Sequence, residues 1–454
     1  MIANAKTPAQ RHPELASWMV IVLALAAAAA GFAGGFFIDL ARVGAAMALI
    51  AQAVVEIFTG RKRFLTSPLF LLSTMGVLLY SVVQGLWGRQ SPWQTKEFDF
   101  TGYVGSQAEA TIVAFCMVAL VSYVLMAHRS ALPGGTGERA AAPWPLFLLP
   151  LVASALTALT FYLNVGQPQP VPFSGPLRAV APALISLSLC LLIRSAGARQ
   201  IGDKLAVLLV TLLALAGLVY VGEGKIVMFI LLAISLYAVR LMEFSATRLV
   251  LIALAGALIM LATVQVLQQT RWKVRPGTGQ ADTTYSQIFL KKGVWRQTET
   301  GHCLGAVLKA HGDQPLQISR QLFWLKGLVP RLLWPEKPNL SLGQEYAVKY
   351  CAKAPQFLGQ HSASITLLGQ PVIMGGLIGL IIHGGLLILA LAGIERLNRN
   401  PTALSTAFVA ALLPWLIDFD QDFALYVANA VKFALVMAAL LIPMALIERS
   451  AKTG

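Results

Sequence analysis

Runs of apolar residues long enough to cross a bilayer begin near Ser17, Phe37, Ser67, Ala108, Pro145, Ala179, Leu205, Ile226, Leu249, Ser364, Ala403 and Ala424. A hydrocarbon layer about 30 Å thick takes about 20 helical residues, so these runs predict about a dozen spans. Backbone N–H and C=O groups find no water in that layer, which leaves only helices and closed barrels as spanning structures. A barrel needs apolar and polar residues in alternation, and these runs do not alternate. Composition points the same way. Of the 454 residues, 57% are hydrophobic and only 12% charged, against about 25% charged in soluble chains. The expected fold is an all-α polytopic integral membrane protein.

The net charge of +15 would suggest nucleic acid in a soluble chain; here its first explanation is topology. Loops left in the cytoplasm carry an excess of Lys and Arg. Alternate connections are basic: "GRKR" at Gly60–Arg63, then His128–Arg139, Ile193–Lys204, Arg240–Arg248 and Glu395–Asn400. The connections between them are neutral or acidic, as in "DFDQD" at Asp418–Asp422. Both termini are therefore expected in the cytoplasm. The first apolar run continues through "ALAAAAAGFAGGFF" with no polar stop, so it reads as an uncleaved span rather than a leader. The chain divides into spans 1–9 over residues 1–267, a large extracytoplasmic loop with short helices over 268–360, and spans 10–12 over 361–454.

That outer loop is rich in Arg and Lys, which the topology rule does not explain, since long loops cross largely regardless of charge. Two readings stay open: a solvated face resting on anionic lipids, or an anion-binding site. Of the four cysteines, Cys116 and Cys190 lie within apolar runs and read as packing residues. Cys303 and Cys351 both lie in the outer loop, where an oxidising compartment permits a disulfide; two free thiols are the alternative.

"GEGK" (Gly222–Lys225) forms a tight outer turn. It lacks the upstream glycine and the Ser/Thr of a phosphate loop. Lys225 either snorkels to the interface or meets a phosphate, and Glu223 beside it is placed to neutralise it. "TRWKVRP" (Thr270–Pro276) alternates Arg271, Lys273 and Arg275 with Trp272 and Val274, as an interfacial anchor or the rim of a lipid-anion site would. In "VPRLLWPEKPNLSLGQEY" (Val329–Tyr346), Pro335 and Pro338 impose stiff, irregular backbone. "SLGQ" (Ser341–Gln344) then reads as a capping box opening a helix. On that helix Glu345 and Lys349 stand four apart and can simply pair. Arg331, on the stiff segment, has the donor geometry for bidentate phosphate binding. His361 lies where the chain returns to the membrane and reads either as a proton-transfer group near neutral pH or as a structural histidine. Gly375 and Gly379 read as a helix-packing face, and "SQAE" (Ser106–Glu109) as a second capping box. No metal-ligand spacing and no cofactor motif occurs, so none is expected.

Three stretches together resemble the bacterial oligosaccharide repeat-unit polymerases of the O-antigen (Wzy-type) family. They are "YVGSQAEATIVAF" (Tyr103–Phe115), the "GEGK" turn, and "VPRLLWPEKPNLSLGQEYA" followed by "HSASITLLGQ…GGLIGL". The resemblance implies a GT-C-type architecture of about 12 helices with the large loop between helices 9 and 10. It implies a metal-independent inverting glycosyltransferase that extends a glycan carried on undecaprenyl pyrophosphate at the periplasmic face of the inner membrane. Without a metal, departing pyrophosphate must be met by fixed cations. On that reading Lys225, Arg271 and Arg331 contact the pyrophosphate, with Arg275, Arg296 and Lys337 as further candidates, and His361 or Glu345 handles the acceptor hydroxyl. The implied partners are the lipid-linked oligosaccharide and the bilayer, not nucleic acid, and the reading leaves room for a chain-length regulator protein. Related O-antigen ligases carry Arg where Lys225 stands, and their glycine spacing after the histidine is not reproduced here. A ligase and an exporter of lipid-linked sugars are the competing expectations.

Overall fold

The computed structural model describes residues 8–33, 37–59, 61–82, 103–129, 148–164, 174–194, 201–220, 224–241, 296–317, 322–329, 334, 336–338, 342–351, 363–399 and 403–453. Among them every regular element is helical. Five helical segments are long and apolar enough to cross a membrane: Leu15–Ala33, Phe37–Phe58, Gln107–Ala127, Thr366–Arg399 and Phe423–Pro443. Five shorter apolar helical segments accompany them. The run expected from Leu249 lies outside the described residues. The chain is a helical membrane protein.

It forms two compact units. The first comprises Met1–Leu132, Thr284–Glu395 and Ile417–Asn429; the second comprises Pro133–Thr283, Arg396–Leu416 and Ala430–Gly454.

In the first unit, α1 (Pro8–Ala33), α2 (Phe37–Phe58) and α4 (Tyr103–Arg129) pack on one another, and α3 (Pro68–Met75) lies against α4. α1 and α2 approach through small residues, Gly44 meeting Ala27. α3 starts where Ser67 accepts a hydrogen bond from the Phe70 N–H at 3.2 Å and Pro68 occupies the first helical position. It continues into a π-helix, Gly76–Val82. Outside the spans, α9 (Arg296–His311) packs on α4 and on the π-helix, and the short α10 (Gly343–Lys349) is tied to it by a Cys303–Cys351 disulfide. α4 begins at Tyr103, three residues before Ser106, so "SQAE" is not a capping box. α10 begins behind Leu342 with no side-chain cap, so "SLGQ" is not one either.

In the second unit, α5 (Leu148–Asn164) packs on α6 (Ser174–Arg194) and α7 (Ile201–Tyr220). α12 (Ala403–Leu416) lies against α6 and α8 (Gly224–Leu241). The Ser186 hydroxyl donates to the Ala411 carbonyl at 2.8 Å, a side chain-to-backbone bond between α6 and α12. Arg240 donates to the side chain and the carbonyl of Asn398.

The tenth expected span is not one rod. Within α11 (Thr366–Arg399) the backbone leaves helical geometry at Gly375 and Gly376. Gly375 therefore does not present a helix-packing face with Gly379. Gly376 has φ +61°, and a Cβ there would lie 2.4 Å from the Gln314 carbonyl oxygen and 2.6 Å from that of Gly312. The turn after α9 fills the break, and the Leu377 N–H donates to the Gly312 carbonyl at 3.0 Å. Non-helical backbone at membrane depth persists only where protein or a cavity supplies its partners. α13 (Phe423–Thr453) follows the Ile417–Asp422 connection.

Gly376→Ala should lower the thermal midpoint of the purified protein, through roughly 1–3 kcal/mol of backbone strain plus the carbonyl clash. Gly385→Ala, with nothing within 4 Å of its Cβ, should leave the midpoint unchanged or raise it slightly.

Candidate functional site

Parts of the quoted stretches "VPRLLWPEKPNLSLGQEY", "HSASITLLGQ" and "DFDQD" meet in the first unit. The Ala363 N–H donates to the Gly343 carbonyl at 2.9 Å, joining the start of α10 to the segment that leads into α11. The Tyr346 hydroxyl pairs with the Gln370 side chain, and the Gln370 Oε1 accepts the Ala424 N–H at 2.7 Å. The Leu367 N–H donates to the Phe419 carbonyl at 3.1 Å. Thus α10, the first turns of α11 and the "DFDQD" connection form one junction.

Thr366, at its centre, is fully buried with φ +63°. A β-branched residue in that region is strained and stays there only when its surroundings over-determine it. Here three bonds do so. The Thr366 N–H donates to the Ser364 hydroxyl, the Leu368 N–H to the Thr366 hydroxyl, and the Leu367 N–H to Phe419. The first N–H groups of α11 are thereby occupied.

Around this junction lie His311, Tyr350 and Asp422. The Tyr350 hydroxyl is 2.7 Å from His311 Nε2. Burial, then the Glu345 carboxylate, holds the Tyr350 phenol above its ordinary range. The phenol therefore stays protonated and shares one hydrogen bond with His311 Nε2. Nδ1 is buried and has no hydrogen-bond partner. Burial, with the nearby Asp422 carboxylate, also raises Tyr346, so its hydroxyl stays protonated. Asp422 itself is buried. Burial lowers His302 to about 4, which makes it a poor base near neutrality. Two phenols, an amide, an imidazole and a carboxylate can orient a bound hydroxyl group and exchange a proton with it.

A second polar cluster occupies the same unit. Arg42 of α2 grips Glu109 of α4 with two bonds, Nε to Oε1 at 2.6 Å and Nη2 to Oε2 at 2.7 Å. Arg42 also pairs with Asp39, and the Ser81 hydroxyl donates to Glu109 at 2.8 Å. The π-helix joins the clusters: Tyr80 packs at a tilt against Phe419 with ring centroids 5.3 Å apart, while its neighbour Ser81 reaches Glu109. Insertions of this kind are frequent at functional sites.

The predicted residues fall as follows. Cys303 and Cys351 are bonded to each other. Glu345 is exposed and lies 3.7 Å from Lys349 on its own helix. Lys337 donates to the carbonyls of Gly327 at 2.9 Å and Val329 at 2.7 Å, bracing the stretch that contains it. Lys225 belongs to the second unit, 5.8 Å above the Phe229 ring. Arg296 opens α9. Arg271, Arg275, Arg331 and His361 lie outside the described residues. Among the described residues no group of three or more His, Cys, Asp or Glu is placed to hold a metal ion. His311, Tyr346, Tyr350, Gln370, Asp422 and Arg42 were missed by residue-level reading. Only Arg42 carried a signal, being a cation inside an apolar run.

No protein-family model, curated protein or solved structure matches the chain.

Arg42→Met should destabilise the purified protein by roughly 3–5 kcal/mol, because it strands a buried carboxylate. Adding Glu109→Leu should recover most of that loss in a double-mutant cycle read by thermal unfolding. An additive double mutant would mean the pair is not coupled.

Proposed function

We propose that this protein is a metal-independent inverting glycosyltransferase of GT-C type. It joins undecaprenyl-pyrophosphate-linked oligosaccharide repeat units at the periplasmic face of the bacterial inner membrane, with about 12 spans and both termini in the cytoplasm. The observation that carries this reading is the junction. The "LSLGQEY" and "HSASITLLGQ" stretches that carry the family resemblance, far apart in sequence, bond to each other through Ala363–Gly343 and Tyr346–Gln370. Their shared site holds hydroxyl-orienting and proton-accepting groups.

In the proposed reaction an acceptor sugar hydroxyl attacks the anomeric carbon of the donor glycan. The new C–O bond forms as the bond to pyrophosphate breaks, and configuration inverts. The hydroxyl proton passes to a base, with His361, Glu345, Asp422 and His311 as candidates. The lipid pyrophosphate departs with its charge met by Arg and Lys. Fixed cations aimed at developing charge cost no reorganisation at the moment of reaction, and one such group is typically worth about 10²–10³ in rate. The family resemblance assigns this role to Lys225, Arg271 and Arg331, with Arg275, Arg296 and Lys337 in support.

The broken α11 favours a second reading, an exporter of the same lipid-linked glycans, since transporters build their sites from discontinuous helices. Transfer to lipid A core, the ligase reaction, differs from the first reading only in the acceptor.

Purified protein in nanodiscs, given the lipid-linked repeat unit and a metal chelator, should produce a ladder of longer lipid-linked glycans and release undecaprenyl pyrophosphate. Arg331→Ala should cut the rate at least 100-fold. Product that forms only with a different acceptor would make the protein a ligase. Transbilayer movement without a new glycosidic bond would make it an exporter.

A further inference from the structure

The outer segment Leu322–Val329 carries apolar surface that no helix among the described residues covers. Its 3₁₀ turn, Phe323–Gly327, has no buried residue. Leu322, Leu325, Leu328 and Val329 are 57%, 38%, 39% and 37% exposed, although they lie outside the spanning helices. Such a concentration of exposed aliphatic side chains in eight residues marks an interaction surface.

Two observations fix what covers it. First, Trp324 stands edge-on to Phe423 at 6.4 Å, and Phe423 is the first residue of the apolar span Phe423–Pro443. The segment is thus held at the depth where a spanning helix ends. Second, the apolar surface is rimmed by ammonium groups. Lys326 lies 5.6 Å from the Phe323 ring centroid, and Lys337 is fastened to the carbonyls of Gly327 and Val329. Aliphatic side chains flanked by lysines and an aromatic match the acyl and headgroup layers of an anionic leaflet.

We infer that Leu322–Val329 is an interfacial membrane anchor. Its aliphatic side chains insert beneath the headgroups of the bilayer around the protein, and Lys326 binds anionic phospholipid headgroups. The inference depends on the protein being membrane-embedded and not on glycosyl transfer. It gives Leu322–Val329 a fixed height at the bilayer surface.

The test is a nitroxide at Leu325→Cys in the full-length protein, in nanodiscs of phosphatidylcholine with or without phosphatidylglycerol. Leu325 is exposed, so labelling does not disturb packing, and the free thiols Cys116 and Cys190 are buried. The label should collide with oxygen and be shielded from an aqueous nickel chelate, at a depth of about 5–10 Å below the headgroup boundary. It should sit deeper with phosphatidylglycerol, and Lys326→Glu should abolish that difference. A nickel-accessible label would place the segment in water, and a label shielded from both reagents would place it against protein; either overturns the inference. Equal depth in the two lipids, or a difference that survives Lys326→Glu, overturns the headgroup contact.

Discussion

A backbone amide in an apolar environment must find a partner, and much of the first unit is arranged around one place where a helix fails to provide it. At Gly375–Gly376 the ladder of α11 stops, and the Gly312 carbonyl takes the Leu377 N–H. That single bond seats the turn after α9 inside a membrane helix. The outer segment is consequently built into the bundle. The Cys303–Cys351 disulfide extends the connection from α9 to α10, and α10 in turn meets the start of α11 through Ala363 and Gln370. The loop closed by these contacts holds the strained Thr366 in place.

The second constraint is close packing under that loop. Gly76 is the residue that permits it: a Cβ there would lie 2.4 Å from Cys116 Sγ and 3.1 Å from the Phe419 ring. Phe419 reaches inward between Tyr80 and Phe115. Its neighbours Asp418 and Asp422 are drawn in with it and buried. The π-helix that begins at Gly76 then turns Tyr80 towards Phe419 and Ser81 towards Glu109. The Arg42–Glu109 pair and the tyrosine–histidine junction thus rest on adjacent residues of one short element.

Much of the architecture was legible in the sequence because membrane burial writes itself into composition. The apolar runs from Ser17, Phe37, Ala108, Ser364 and Ala424 correspond to the five long segments. Parts of "LSLGQEY" and "HSASITLLGQ" lie beside one another. The partnerships were not legible. Glu109 sits in a spacing typical of a helix cap, yet its partner is Arg42, 67 residues away. Gly375–Gly376 looks like a packing face, since nothing local distinguishes two glycines that pack a helix from two that break it. The deciding contact is with Gly312, distant in sequence. His311 and Tyr350 have no local pattern at all; the fold alone makes them neighbours.

The central structural claim is that Gly343 and Ala363 are adjacent, because every role assigned to the junction depends on it. Site-directed crosslinking tests this in the intact membrane. A Gly343→Cys/Ala363→Cys double variant, treated with a mild oxidant and digested, should give a crosslinked peptide pair by mass spectrometry that neither single variant gives. Protein that inserts and retains the Cys303–Cys351 bond but forms no 343–363 crosslink would contradict the junction and the function built on it.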